Sequence, residues 1–247
     1  MILTRLSRAV REQNWFAVVL EFVIVIAGVV IGFQITGWNE ARMERASEAL
    51  ALARIQDDVV QNLRELDARI RSDQSRNQDN RIMVAAVTTG SLAPEDAGAF
   101  QTAVEQLLFF SRPPISQPSY DALEQSGDLT VISNDDLLRR LAELRSDLAW
   151  VESQHSSFRT GLSAIAPTWR PYVFHRATSQ LQRTTVQVDL EALASDPEAV
   201  SAVVEATRMH AIFASYIERY TDDLRSFCAE LAAITGNACV QNEEVIP

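Results

Sequence analysis

Few residues in this sequence have the types and spacings that catalysis or metal binding would need. Glu152 and His155 form a Glu-x-x-His pair, which is the spacing used by helical di-iron proteins. Such a site needs a second pair and two further glutamates on facing helices, and the sequence holds no second copy. His175 and His210 have no cysteine or carboxylate at the spacing of a metal-ligand set. We therefore expect no metal and no other cofactor.

The glycine-containing segments show no catalytic motif. The sequence has no glycine-rich loop that could hold a phosphate group, and GLSAI at residues 161–165 is not a nucleophile elbow. The sequence therefore predicts a protein that is not an enzyme and has no catalytic residues.

Cys228 and Cys239 are the two cysteines of the chain. Cys228 lies in the last turns of a predicted helix, and Cys239 lies just beyond Gly236, where that helix is expected to end. Two such cysteines are better suited to pairing than to catalysis in an oxidising compartment. We predict a disulfide that holds the C-terminal tail against the helix and stabilises the fold by about 2 to 3 kcal/mol.

The chain of 247 residues carries a net charge of −11, although 47% of its residues are hydrophobic. Residues 38–247 carry −12, because the first 37 residues hold three arginines against Glu12 and Glu21. An acidic domain of this kind repels nucleic acid, so no nucleic-acid partner is expected. All 22 basic residues are arginines, which is typical of a GC-rich bacterial genome.

One segment is apolar enough to cross a membrane. The 21 residues from Trp15 to Ile35 include two strongly polar side chains, one of them Glu21, and as a helix they extend roughly 30 Å. A cleaved signal peptide would have a shorter apolar stretch followed by small residues. We therefore predict a transmembrane helix at residues 15–37, with Trp15 and Trp38 as anchors at the two membrane interfaces.

The arginines near this helix predict its orientation. Three of them precede the span in a short segment, whereas Arg42 and Arg45 follow it. This positive-inside bias places residues 1–14 in the cytoplasm and residues 38–247 in the periplasm. The expected location is the bacterial inner membrane, with the lipid bilayer as one partner.

Glu21 lies about six residues, roughly 9 Å, inside the cytoplasmic boundary, where a charge costs a few kcal/mol unless it is paired or protonated. At about 100° per residue, Glu21, Val25, Gly28 and Gly32 fall on one stripe of the helix. Gly-x-x-x-Gly spacing lets two helix backbones approach closely. We predict that this stripe is a helix interface. The alternative is that Glu21 is protonated, bonds to a lipid headgroup or water, and sets only the depth of the helix.

The remaining sequence predicts an all-α protein in which the transmembrane helix continues into a long-helix antiparallel bundle. No Gly or Pro occurs between Trp38 and Thr89, so the first helix is expected to extend outward as a stalk. Its apolar residues follow the helical period, at Leu52, Ile55, Val59, Leu63, Leu66 and Ile70. The polar segment at residues 72–81 is expected to be exposed or bent. Asp196 and Pro197 start a last helix that runs to Gly236.

Shorter helices are predicted between these long ones. One begins at Pro94 and runs through Phe110. A second has Ser119 as its N-cap and Gly127 as its end. The proline-rich segment at residues 111–119 separates them. It is a candidate contact surface, although a plain connector is the favoured interpretation.

The segment after Gly127 also has local signals. Residues 129–132 are expected to be extended, and Ser133 or Asn134 to cap a helix that runs towards Ala166. Residues 184–190 alternate weakly and are expected to form a short strand or an extended connector.

Residues 21–42, EFVIVIAGVVIGFQITGWNEAR, resemble the N-terminal signature of a bacterial family of uncharacterised single-span membrane proteins with a domain of unknown function. The matching positions are Glu21, Gly28, Gln34, Trp38, Asn39, Glu40 and Arg42. Residues 119–145 are similar to the family's Tyr-x-x-Leu-x-x-Ser-Gly-x-Leu-x-x-Ile segment, which precedes a helix. Leu20 stands where the family usually has glycine before the acid. The resemblance implies a single-span helical protein and no particular activity.

These features favour a non-enzymatic assembly or accessory component. Its transmembrane helix would associate with itself or with a membrane-protein partner through Glu21, Gly28 and Gly32, while the periplasmic bundle contacts another protein. One alternative is a proton-coupled or force-transmitting subunit that resembles a stator protein and uses Glu21. Another is a periplasmic sensor that holds a small molecule between its helices.

Overall fold

The structure is a computed structural model that describes residues 15–177 and 184–239. In chain order, the helices and strands are α1 (Trp15–Thr89), α2 (Ala97–Gln106), α3 (Pro118–Ser126), α4 (Asp135–Trp169), β1 (Val173–Ala177), β2 (Thr184–Val188), α5 (Leu190–Ala194) and α6 (Pro197–Thr235). Short 3-10 helices lie at Pro94–Asp96, Asp128–Val131 and Arg170–Tyr172. The predicted all-α class is confirmed.

Helix α1 has 75 residues, which confirms that the apolar N-terminal helix continues without a break. Its length follows from the lack of proline and of glycine beyond Gly37. The most apolar 18-residue window has a mean hydropathy of 2.3, and none of that window is buried. Among the described residues, α1 is the one helix that is long and apolar enough to cross a membrane. The chain divides into two compact units, at residues 1–50 and 51–247.

The second unit has two apolar core clusters. The first cluster joins residues 52–66 of α1 to the first half of α4 and the second half of α6. It includes Leu52, Ile55, Val59, Leu66, Leu141, Leu144, Phe213, Ile217, Leu224 and Phe227. The second cluster includes Met83, Val87, Phe100, Val104, Leu162, Trp169, Val203 and Ala206. The predicted apolar stripe on α1 is therefore confirmed, with Ile70 half-buried against the first cluster.

The two clusters also give the directions of the long helices. The first cluster holds residues 52–66 of α1 and the first half of α4 together with the second half of α6, whereas the second cluster holds the later residues of α1 and α4 together with the first half of α6. Helix α6 is therefore antiparallel to both α1 and α4, while α4 runs in the same direction as α1. The segment at residues 90–134 must return the chain to the first end of the bundle.

The polar segment at residues 72–81 remains helical and is only partly exposed. Asp73 and Asn80 are buried, with 6% and 5% of their surface exposed. The expectation that the whole segment is exposed or bent is therefore wrong. These two residues continue a seven-residue spacing of buried positions through Leu66 and Val87, which keeps them on the core-facing side of α1.

The short helices differ in detail from their predicted bounds. Helix α3 begins at Pro118, so Ser119 is not its N-cap. Proline suits the first turn because its missing N–H would have no helical partner there. The Ser119 N–H instead donates to the Asp58 Oδ2 atom of α1 at 2.8 Å, so a carboxylate from another helix supplies the cap. Gly127 ends α3 with φ of 77°, as predicted.

Three other local predictions differ from the structure. The helix after Pro94 ends at Gln106 rather than at Phe110. Of residues 129–132, which were predicted to be extended, Ile132 is extended, whereas Asp128–Val131 form a 3-10 helix directly after the left-handed turn at Gly127. Helix α4 runs past Pro167 to Trp169.

The predicted caps of α4 and α6 and the predicted strand near residue 184 are present in the structure. The Asn134 side chain accepts from the Leu137 N–H, and Asp196 accepts from two N–H groups at the start of α6. Strand β2 pairs antiparallel with β1, with His175 opposite Val186. The half-buried residues of this hairpin pack on the second core cluster.

Candidate functional surfaces and buried polar groups

The stripe of Glu21, Val25, Gly28 and Gly32 lies on an uncovered part of α1. All four residues are exposed, Val25 by 58%. A Cβ atom added at Gly28 or Gly32 would meet no atom within 4 Å, so the helix surface there is open. The Thr36 hydroxyl donates to the Gly32 carbonyl at 3.0 Å, within the same helix. The predicted interface along this stripe stays a prediction.

The structure describes the side chain of one of the two predicted membrane anchors, Trp38. Trp38 is 63% exposed, and the Arg42 guanidinium lies 6.0 Å from its ring centroid. An exposed indole beside a cation has the amphipathic character of residues at a membrane interface. The side chain of Trp15 and the predicted cytoplasmic tail, residues 1–14, lie outside the described part of the chain.

Cys228 and Cys239 lie at disulfide distance, with their Cα atoms 5.7 Å apart. Cys228 is fully buried in the first core cluster. The tail is also held by Gln56 of α1, whose Nε2 donates to the Asn237 carbonyl at 2.9 Å and reaches the Cys239 sulfur at 3.8 Å. The cysteine pair therefore joins the C-terminal tail to α6, and Gln56 joins it to α1.

The segment that returns along α1 is fastened by a row of polar side chains. Asn62 bonds to the backbone of Ser116, and the Arg69 guanidinium donates to the Ser111 hydroxyl at 2.6 Å. Further along, Arg76 donates to the Gln106 side chain at 3.1 Å. These contacts fit the interpretation of the proline-rich segment at residues 111–119 as a connector.

A buried charged group lies between the two core clusters, and sequence reasoning missed it. The Asp73 carboxylate is 2.8 Å from Arg69 Nε and 3.5 Å from an Arg76 Nη atom. The side chains of Asp73, Arg69 and Arg76 are 9%, 12% and 13% exposed. Burial lowers the pKa of Arg76, although the Asp73 carboxylate opposes this effect. The seven-residue spacing of buried positions was the signal that could have located Asp73.

Two histidines hold backbone carbonyl groups beside this charged group. His210 Nε2 donates to the Leu107 carbonyl, and His155 Nε2 to the Phe110 carbonyl, each at 2.9 Å. The ring of Phe110 lies between them, with centroid distances of 4.9 Å and 5.5 Å. Burial lowers the pKa of His210, which keeps its ring neutral at pH 7.

The other residues considered for chemistry lie apart from one another. Glu152 pairs with Arg112, and His175 is exposed on β1. Within residues 15–177 and 184–239, no group of three or more His, Cys, Asp or Glu side chains could hold a metal ion. The expectations of no cofactor and no catalytic site stay predictions.

An aromatic cleft of about 320 Å³ opens between α4 and α6. Trp150 is 45% exposed and meets Tyr216 edge to face, with ring centroids 4.7 Å apart. The carboxylates of Asp147 and Asp223 also line this cleft. Trp and Tyr are enriched among the residues that contribute most to protein–protein contacts.

Comparisons with protein-family models, with curated proteins and with solved structures found no match to this chain.

Proposed function

We propose that this protein is a non-enzymatic, single-pass inner-membrane component that assembles with itself or with a membrane-protein partner. The observation that carries the proposal is the exposed stripe of Glu21, Val25, Gly28 and Gly32, which has open space above both glycines. In lipid, close packing of small residues and polar contacts are the main sources of helix association. A carboxyl group on the same stripe gains a polar partner when two helices meet.

The proposed orientation places residues 1–14 in the cytoplasm and the helical domain in the periplasm. It is supported by the three arginines that precede the span and by the cysteine pair at disulfide distance, since disulfides persist in oxidising compartments. Labelling of cysteines introduced at residue 4 and at residue 174, with a reagent that does not cross the membrane, tests this orientation in cells.

Replacement of both glycines by leucine tests the assembly proposal. Gly28→Leu with Gly32→Leu fills the space that close helix approach needs, so the oligomer or complex recovered in mild detergent should dissociate. Gly37→Leu is the matched control, because Gly37 lies on another side of α1 and also has no atom near its Cβ position. Native mass spectrometry of the full chain measures the assembly of the double variant and of this control. Unchanged assembly of the double variant would exclude this stripe as the interface.

We further propose that the aromatic cleft between α4 and α6 contacts the protein partner. Trp150→Ala should abolish recovery of a stoichiometric second protein from cells while leaving association through α1 intact. Phe174→Ala is the control, because Phe174 is 52% exposed but lies on the β-hairpin rather than in the cleft. Equal recovery with Trp150→Ala and wild type would rule the cleft out as the contact surface.

A further inference from the structure

A second groove, of about 520 Å³, opens between α1 and α6 and has a distinct chemical character. Its polar lining includes Asn80, Arg81 and Arg208, and its apolar lining includes Val84 and Val204. All five residues belong to the helical unit that begins at Ala51. The volume is within the range of small-molecule sites.

Asn80 is the unusual residue of this groove. It is 5% exposed, and its Nδ2 atom is buried without a hydrogen-bond partner. Leaving a buried amide donor unpaired is unfavourable, so such groups are rare in folded proteins. Asn80 also lines the groove, so rotation of its side-chain amide would bring this donor to an acceptor group of a ligand there.

The two arginines of the groove differ in their pairing. Arg208 makes two hydrogen bonds of 2.8 Å to Glu205, which neutralises it. Arg81 is exposed and has no hydrogen bond or ion pair with the rest of the described chain. The groove therefore offers one free guanidinium and one unpaired amide donor, which together suit an anionic acceptor.

The apolar lining of the groove and the net charge of the chain further limit the chemical class of the ligand. Val204 is 38% exposed and with Val84 provides an apolar wall for a hydrocarbon group. The net charge of −11 disfavours ligands with several negative charges. We propose that the groove binds a small organic monocarboxylate, with the carboxylate held by Arg81 and Asn80 and the apolar body against Val84 and Val204.

Hexanoate is a suitable probe, titrated by calorimetry into the full chain in phosphatidylcholine nanodiscs, with empty nanodiscs as the blank. Saturable binding of hexanoate is expected, with no binding of hexyltrimethylammonium and much weaker binding of 1-hexanol. Arg81→Gln should weaken hexanoate binding about tenfold, as expected for loss of one charged hydrogen-bond donor. Arg71→Gln, an exposed arginine of the same helix outside the groove, should leave binding unchanged.

Asn80→Leu is a second variant that tests the unpaired amide. If the amide awaits a ligand, the variant without ligand should be as stable as wild type or more so, and its melting temperature should no longer rise with hexanoate. Three results would each overturn the proposal: no saturable binding to wild type at about 10 mM hexanoate, equal affinity in Arg81→Gln, or equal binding of hexyltrimethylammonium. None of these depends on assembly through α1, so the outcomes are distinguishable from failure of the proposed function.

Discussion

Asn62 pairs with the backbone of Ser116 in both directions. The Asn62 Nδ2 donates to the Ser116 carbonyl at 2.7 Å, and the Ser116 N–H donates to Asn62 Oδ1 at 3.0 Å. Asn62 is 3% exposed, so both bonds are shielded from water. A side-chain amide thus replaces the backbone partner that the proline-rich segment lacks, and it holds that segment against α1.

Asn62→Leu should lower the free energy of unfolding by about 2 kcal/mol or more. Leucine has the same branching as asparagine at Cγ but no donor or acceptor, so the Ser116 N–H and carbonyl lose their partner. Urea unfolding of the full chain in a non-ionic detergent, followed by circular dichroism, measures the change. Gln61→Leu is the control, because Gln61 is exposed and makes only a same-helix bond to Glu65. A loss no larger than in this control would show that the Asn62 pair contributes little.

Asp73→Asn should destabilise the fold by about 2 to 4 kcal/mol. It removes the carboxylate between Arg69 and Arg76 and leaves two largely buried guanidinium groups without a counter-charge. The same unfolding measurement applies. Asp136→Asn breaks the exposed pair with Arg139 and should change stability by less than about 1 kcal/mol. Similar losses in the two variants would contradict the importance of burial at Asp73.

The lowered pKa of His210 predicts that the free energy of unfolding decreases as the pH falls. Burial and the nearby Arg76 and Arg69 lower the pKa of His210, while the bond to the Leu107 carbonyl and the Asp73 carboxylate oppose this shift. As pH falls below about 6.5, the unfolded chain therefore takes up a proton before the folded one does. Stability present above this pH should be lost as pH falls towards the folded-state pKa, by at most about 1.4 kcal/mol per pH unit.

Comparison of two histidine variants isolates this effect. His210→Gln keeps a donor for the Leu107 carbonyl but cannot titrate, so the loss of stability between about pH 6.5 and pH 5 should be smaller than in wild type. His175→Gln, at an exposed position on β1, should retain the wild-type slope. Parallel curves for His210→Gln and wild type would assign the pH dependence to other groups.

Local signals in the sequence were sufficient to predict the long helices. Asn134, Asp196 and Gly236 cap or end helices in the structure as their side chains or backbone freedom predict, and the spacing of apolar residues gave the buried stripe of α1. The sequence also predicted the cysteine pair, because Cys239 follows directly after the end of α6.

What sequence reasoning missed depends on contacts between distant segments. Asp73 and Asn80 are polar and so suggested exposure, but their seven-residue spacing from Leu66 and Val87 buries them. The partners of Asp73, Arg69 and Arg76, lie one turn away on the same helix, so what the sequence did not show was the burial of this group rather than its pairing. The parallel direction of α1 and α4 was missed for the same reason, since it follows from the path of residues 90–134, which side chains of α1 hold in place.

The cysteine pair allows a final prediction about the C-terminal tail. A bond between Cys228 and Cys239 closes a loop with a sequence separation of 11, so its loss should lower stability by about 2 to 3 kcal/mol. Cys239→Ser is preferable to a change at Cys228, because Cys228 is fully buried and its replacement would also disturb the core. Dithiothreitol should destabilise wild type by a similar amount and leave Cys239→Ser unchanged. An unchanged stability of wild type in dithiothreitol would contradict this prediction. In that case, the contacts of Gln56 with Asn237 and Cys239 would be sufficient to hold the tail.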